Sequence, residues 1–258
     1  MNSHLPSRNS PSPPGRWWLL AILAGLADPA ASAATMIETW NSGFTGGGVV
    51  PDGNLVGWSD TRTLSGVTST AITVITVNLT LTGGFNGDLY AYLQHGTGIT
   101  ILLNRPGRTA ANLFGYSDGG SDVIFADSGT NGDSHVTLTG ASIFSASSWE
   151  PDGRAVNPAT ALDTDLRTNL LGTFTGKDPN GTWTLFVADL SWDGEPPATV
   201  TQWGLQITAI PAIPEPGSAF IQVVFLSSAL LIRRRGKPGL GRRKIGVSAD
   251  PTIQPPAA

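Results

Sequence analysis

The chain has 258 residues and a formal net charge of −4, yet residues 34–210 hold 13 Asp and 3 Glu against 5 Arg and 1 Lys, a net of −10 with His neutral. So acidic a middle excludes a phosphate-backbone partner, and no nucleic acid is expected to bind. The absence of cysteine excludes disulfides, thiolate nucleophiles and thiolate metal sites, while 32 glycines and few helix-favouring runs point to short strands joined by turns.

Residues 1–16 are polar and proline-rich, with Arg8 and Arg16. The apolar run Trp17 to Ala27 follows, then a stretch of small residues in which Ala31-Ser32-Ala33 fits an A-x-A cleavage pattern. Residues 1–33 therefore read as a secretory signal peptide cut between Ala33 and Ala34. An N-terminal membrane anchor is the alternative, but the run is short for a span.

In residues 34–60, Val49 and Val50 read as a short strand ending in the turn Pro51-Asp52-Gly53. Gly46, Gly47 and Gly48 are not a phosphate loop, because no Lys-Ser/Thr follows. From Thr61 to Thr82 the Thr-, Val- and Ile-rich composition suits strand. Ile75, Val77, Leu79 and Leu81 would share one face, with Thr76, Asn78 and Thr80 on the other. Residues 86–104 read as a hairpin, with Leu89, Ala91 and Leu93 alternating against Tyr90 and Tyr92.

Residues 105–122 read as loop, Val123 to Phe125 as a short strand and Val136-Thr137-Leu138 as another. Ser145 to Pro158 is expected to be irregular, and 161–168 to form one short helix or turn. Gly181 to Thr208 reads as two strands about an acidic, proline-containing loop. Trp183, Leu185 and Val187 line one strand; Trp203, Leu205 and Ile207 line the other. Eight or nine strands and almost no helix predict an all-β, jelly-roll-like antiparallel β-sandwich over residues 34–210.

After Ile210 the texture changes. A proline-rich spacer leads to the apolar run Ala219 to Ile232, followed at once by Arg233, Arg234, Arg235 and Lys237. Such a segment prefers its basic end on the cytoplasmic side, with the folded domain outside. Pro214-Glu215-Pro216, the apolar run and the basic cluster together resemble the PEP-CTERM sorting signal of exported Gram-negative bacterial proteins. The resemblance covers residues 211–237. It implies the secretion machinery and an exosortase-like transpeptidase as partners, and release or surface attachment after processing. Residues 238–258 are expected to be a disordered tail.

The middle resembles the P domain, or Homo B, found beside subtilisin-like catalytic domains. The residues that carry this are Val50-Pro51-Asp52-Gly53, Ile75 to Leu81, Gly87-Asp88-Leu89 with Tyr90 to Leu93, and Phe174 and Gly176. The stretch Asn180-Gly181-Thr182-Trp183-Thr184-Leu185, then Val187, Asp189, Trp203, Leu205 and Ile207, completes the set. The resemblance implies a jelly-roll sandwich that stabilises a neighbouring protease and cleaves nothing itself.

Only His95 and His135 follow the signal segment. Neither lies in a G-x-S-x-G elbow or an H-E-x-x-H helix, so both read as exposed or half-buried loop histidines and no catalytic residue is expected. The carboxylates allow a metal hypothesis. Asp88 and Asp189 read mainly as braces of hairpin ends that could also share one Ca²⁺, with Asp52, Asp127 and Asp193 as weaker candidate ligands, since calcium takes six to eight oxygens. The competing reading is that all five cap turns without metal. Trp183 and Trp203 read as core. Trp58, Trp149 and Trp192 read as partly exposed, and with Tyr90 and Tyr92 they could stack on a glycan.

Three functions stay open at this stage. The first is an exported, non-catalytic cell-surface or extracellular-matrix protein, structural or adhesive, with a transient or retained inner-membrane segment. The second is a carbohydrate-binding module taking extracellular polysaccharide. The third is an accessory domain stabilising a separately encoded subtilisin-like protease.

Overall fold

The computed structural model describes residues 32–69, 71–140, 148–192, 194 and 196–211. Within them run β1 (Ala34–Trp40), β2 (Asn54–Leu64), β3 (Ala71–Thr82), β4 (Leu89–His95), β5 (Gly98–Asn104), β6 (Ser121–Phe125), α1 (Ser134–Thr137), β7 (Ser148–Trp149), β8 (Gly181–Asp189) and β9 (Thr199–Ile210). One sheet has the order β1-β9-β3-β6-β7 and the other β2-β8-β4-β5. Every pairing is antiparallel except β6 with β7. Strands β1, β2, β3 and β4 alternate between the two layers, and the late strands β8 and β9 insert beside the early ones. That interleaving is a jelly roll, with β7 as a two-residue addition.

Alternation sorts the side chains. In β3, Ile75, Val77, Leu79 and Leu81 are buried while Thr76, Asn78 and Thr80 are half-buried on the other face. In β9, Trp203, Leu205 and Ile207 point into the core, as Leu89, Ala91 and Leu93 of β4 and Trp183, Leu185 and Val187 of β8 do from the opposite sheet. The long pairing of β3 with β9 runs from Ala71↔Ile210 to Thr82↔Thr199. Strands β8 and β9 do not pair: the acidic loop between them carries the chain from one sheet to the other.

Three of the four buried indoles find a polar partner among the described residues, and Trp149 Nε1 finds none. Trp203 Nε1 donates to Asp60 Oδ2 at 2.7 Å, which ties a β9 side chain to β2 of the facing sheet. Trp183 Nε1 donates to the Pro179 carbonyl at 2.9 Å, and Trp58 Nε1 to the Thr45 carbonyl at 2.9 Å. Trp40 lies against Trp203 with ring centroids 4.3 Å apart. Trp58 and Trp149 are buried, contrary to their expected partial exposure. Their polar neighbours in sequence fall on turns or on the opposite strand face, which composition alone cannot sort. Trp192 is 82% exposed, as expected.

Other differences have local causes. Val136 to Leu138 is not a strand: α1 covers Ser134–Thr137, and the Asp133 side chain accepts from the His135 N–H as its N-cap. Strand β1 was not anticipated, and of β2 only Thr61 to Leu64 fell within a stretch expected to be strand. β1 is an edge strand that pairs only with β9, and alternate residues are merely half-buried. β2 is interrupted by a bulge between Asn54 and Trp58. There Gly57 has φ +60°, and a Cβ would fall 2.5 Å from the Val187 carbonyl, so only glycine fits. Val49 makes a single bridge to Thr199 rather than a strand. Of Ser145 to Pro158 the described residues 148–158 contain β7 and are otherwise irregular, and 161–168 is turn.

Ala33 precedes β1, Ala34 opens it, and Ile210 closes β9. The rest of the expected signal peptide, the sorting motif Pro214-Glu215-Pro216 with Arg233, Arg234 and Arg235, and the 238–258 tail lie outside the described residues. Among the described residues no helix is long and apolar enough to cross a membrane.

Replacing Trp203 with Ala removes both a buried ring and the hydrogen bond to Asp60. Urea unfolding of the variant is expected to show a loss of about 3–5 kcal/mol. Trp192→Ala, at an exposed position, should stay within about 0.5 kcal/mol of the parent.

Candidate functional site

The irregular region after β5 converges on one buried carboxylate. Asp152 and His135 side chains are both 0% exposed. Asp152 Oδ2 accepts from His135 Nδ1 at 2.7 Å and from the Asn104 N–H at 3.2 Å. Its Oδ1 accepts from the Arg154 N–H at 3.1 Å and from Arg154 Nη1 at 3.3 Å. Arg154 Nη2 donates onward to Asp133 Oδ2 at 2.8 Å, and Arg167 Nη1 donates to Glu150 Oε2 at 2.7 Å. Burying several charges holds only when each finds a partner, and here they are paired.

His135 Nε2 faces the Arg108 carbonyl at 2.8 Å. Both ring nitrogens therefore face acceptors only, and the doubly protonated ring satisfies both. Burial pulls the His135 pKa down. The hydrogen bond and charge of Asp152, with the Arg108 carbonyl, outweigh burial and the opposing Arg154 charge, so its pKa is raised. A ring so engaged has no lone pair for a substrate proton. The expectation of an exposed or half-buried loop histidine is thus corrected: the sequence distance from His135 to Asp152 hid the pair.

His95 is also buried, at the end of β4. Its Nδ1 and Nε2 lie 2.9 and 2.7 Å from the carbonyls of Thr182 and Asp178. The ring stacks on Trp183 with centroids 4.0 Å apart and planes 4° apart. It too holds β4, β8 and the preceding turn together, where a loop position was expected.

The candidate calcium ligands separate into two places. Asp88 and Asp189 lie at one end of the four-stranded sheet, with Asp52 two residues before β2: Asn54 and Leu89 both stand opposite Asp189 in register, and the Leu190 N–H donates to the Asp88 carbonyl at 2.9 Å. Asp88 Oδ1 accepts from Arg105 Nη2 at 3.0 Å, and Asp189 Oδ1 from the Ser191 N–H at 3.2 Å. Asp52 Oδ1 is buried without a hydrogen-bond partner. Asp127 is elsewhere, accepting from the N–H groups of Leu171 at 2.8 Å and Gly172 at 2.6 Å. Asp193 lies outside the described residues. Among the described residues no group of three or more His, Cys, Asp or Glu is arranged to hold a metal ion. Arg105 already holds Asp88 Oδ1, and the described carboxylates by themselves do not complete the six to eight oxygens calcium takes.

The aromatic residues are the groups left facing out. Tyr90 and Tyr92 of β4 share the outer face of the four-stranded sheet with Phe186 of β8. Tyr92 stacks on Phe186 with centroids 4.8 Å apart and planes 17° apart, and Tyr90 meets Phe186 edge-on at 6.4 Å. Burial raises the Tyr90 pKa, with Tyr92 and Asp152 adding to it. Phe186 was legible as an outward residue of its strand, but nothing in the sequence placed it beside Tyr92. Leu55 and Val56 of β2 are 68% and 81% exposed next to this face.

No protein-family model matches the chain, and no curated protein matches it. Among solved structures it is similar to the serine protease of Aeromonas sobria, with 13% identity and a TM-score of 0.39 over 73% of this chain and 29% of that one. It is also similar to a chain in the complex of that protease with the chaperone ORF2, with 14% identity and a TM-score of 0.41 over 74% of this chain and 29% of that one. The chain thus spans under a third of the length of the solved chains it resembles.

Two measurements test these assignments. Because the raised pKa means that the native state holds its His135 proton more tightly, stability from this group is complete below about pH 6.5 and is lost as pH rises through the folded value. The melting temperature should therefore fall over that interval, and His135→Gln should flatten the slope. Chelator should leave the melting temperature of the full chain unchanged; a clear drop would assign calcium to the Asp52, Asp88 and Asp189 end.

Proposed function

We propose that this chain is an exported, non-catalytic surface or matrix module whose work is adhesive. The observation that carries the reading is where the reactive and the apolar groups go. His95 and His135, the histidines of the described residues, are both committed to internal acceptors. Phe114, Trp192, Leu55 and Val56 are left exposed on an acidic sandwich. Exposed apolar groups on a soluble fold mark binding surfaces. Export rests on the signal-like residues 1–33 and on the sorting-signal resemblance of 211–237.

The P-domain resemblance supports a second reading, an accessory module that stabilises a separately encoded subtilisin-like protease. Co-purification of such an enzyme with the tagged chain, and a shortened life of that enzyme without it, would favour this role over adhesion.

Fractionation of producing cells is expected to place the mature protein outside the cytoplasm, with a mass showing loss of residues 1–33. The purified chain should leave internally quenched peptides intact. Cytoplasmic protein with both ends present, or cleavage that disappears in His135→Gln, would falsify the proposal.

A further inference from the structure

A cleft beside the Asp88–Arg105 ion pair combines exposed rings, a polar floor and a rigid frame. Its volume is about 340 Å³, and Phe85, Asp88, Phe114, Tyr116, Ser191 and Trp192 line it. Phe114 is 79% exposed and Trp192 82%. We propose that this cleft binds an uncharged saccharide, the two rings taking the C–H faces of sugar units and the floor taking their hydroxyls. The inference gives the adhesive reading above a ligand class, and it rests on that reading for exposure of the site to extracellular glycans.

The frame fixes the backbone beneath both rings before any ligand arrives. On one side the turn carrying Phe114 is stitched down. The Tyr116 N–H donates to the Pro106 carbonyl at 2.9 Å, and the Gly87 N–H to the Tyr116 carbonyl at 2.8 Å. Asn112 Nδ2 donates to the Gly115 carbonyl at 2.8 Å. On the other side, Trp192 sits so close to Gly53 that a Cβ there would lie 2.8 Å from its own Cβ. A hydrophobic ring left in water on a backbone this well anchored is preorganised for a partner, which lowers the ordering cost of binding.

The floor is unusual too. Arg105 has φ +58°, a conformation that non-glycine residues rarely take. Its Nε and Nη2 are held by the Gly87 carbonyl at 2.9 Å and Asp88 Oδ1 at 3.0 Å. Of this pair Asp88 lines the cleft, and Arg105, which is outside the lining, neutralises it. Asp88 thus offers a carboxylate acceptor to hydroxyls without a net charge. The serine hydroxyls of Ser117 and Ser191 lie at the same wall.

Ligand charge and size follow from the surroundings. The net charge of −10 over residues 34–210 repels polyanions. The cleft is at the low end of ligand-pocket volumes, roughly 300–1,000 Å³, so it suits one or two units of a chain. An apolar peptide fits the rings but offers nothing to Ser117 and Ser191 in the lining, which disfavours it.

Affinity electrophoresis of the full chain tests this in gels containing laminarin, hydroxyethylcellulose or the polyanion alginate. Retardation is expected in at least one of the two uncharged gels. Trp192→Ala and Phe114→Ala should each weaken it by about tenfold or more, while Tyr92→Ala on the sheet's outer face leaves it intact. All three variants are checked for an unchanged melting temperature. No retardation in either uncharged gel, retardation in alginate alone, or retardation that survives both cleft variants would overturn the proposal. So would capture of an apolar peptide in the cleft without any retardation. None of these results touches the adhesive reading itself, which is decided by location and by the peptide assay.

Discussion

The described part of the long connection between β6 and β8 is anchored by one buried carboxylate. A chain without cysteine cannot staple a long connection, and the passage from β6 to β8 is about a third of the sandwich. Asp152 takes four hydrogen bonds, from His135, Asn104 and twice from Arg154. Through them the segment docks on the free edge of β5. The Asp152 and Gly153 N–H groups donate to the Leu102 and Ile101 carbonyls at 3.0 and 2.9 Å. An edge that would otherwise invite pairing with another chain is thereby covered.

That solution shapes what the surface can do. Two histidines and most of the basic residues within the sandwich are spent on internal contacts, so the outside is acidic and carries its aromatic groups unaccompanied by reactive ones. A side chain with both nitrogens engaged is scaffold, whatever its sequence neighbours suggest. The exposed rings of Phe114 and Trp192 therefore sit at a sheet end, and Tyr90, Tyr92 and Phe186 lie half-buried on the outer sheet face.

The jelly roll was legible because its strands obey period two with large apolar residues: Ile75 to Leu81, Leu89 to Leu93, Trp183 to Val187 and Trp203 to Ile207. Strand β1 and all but the end of β2 were not legible. An edge strand needs only one partner and half a buried face, so Ala34–Trp40 carries little pattern, and a bulge resets the phase in β2. The short helix at Ser134 escaped for a different reason. Its cap and its burial come from Asp133 and the distant Asp152, neither of which shows in Val136-Thr137-Leu138.

The sites divide in the same way. Tyr90 and Tyr92 could be put on one face from alternation, and Trp192 could be put outside from its polar neighbours. Composition, charge and alternation, being local properties, determined an all-β acidic sandwich without disulfides and identified its core tryptophans Trp183 and Trp203. Only the tertiary structure decided that Trp58 and Trp149 are inside, that His135 meets Asp152, that Arg105 neutralises Asp88, and that Phe114 and Trp192 rim one cleft. Each of those is a meeting of residues far apart in the chain, set by which loops the two sheets bring together, and no local period records it.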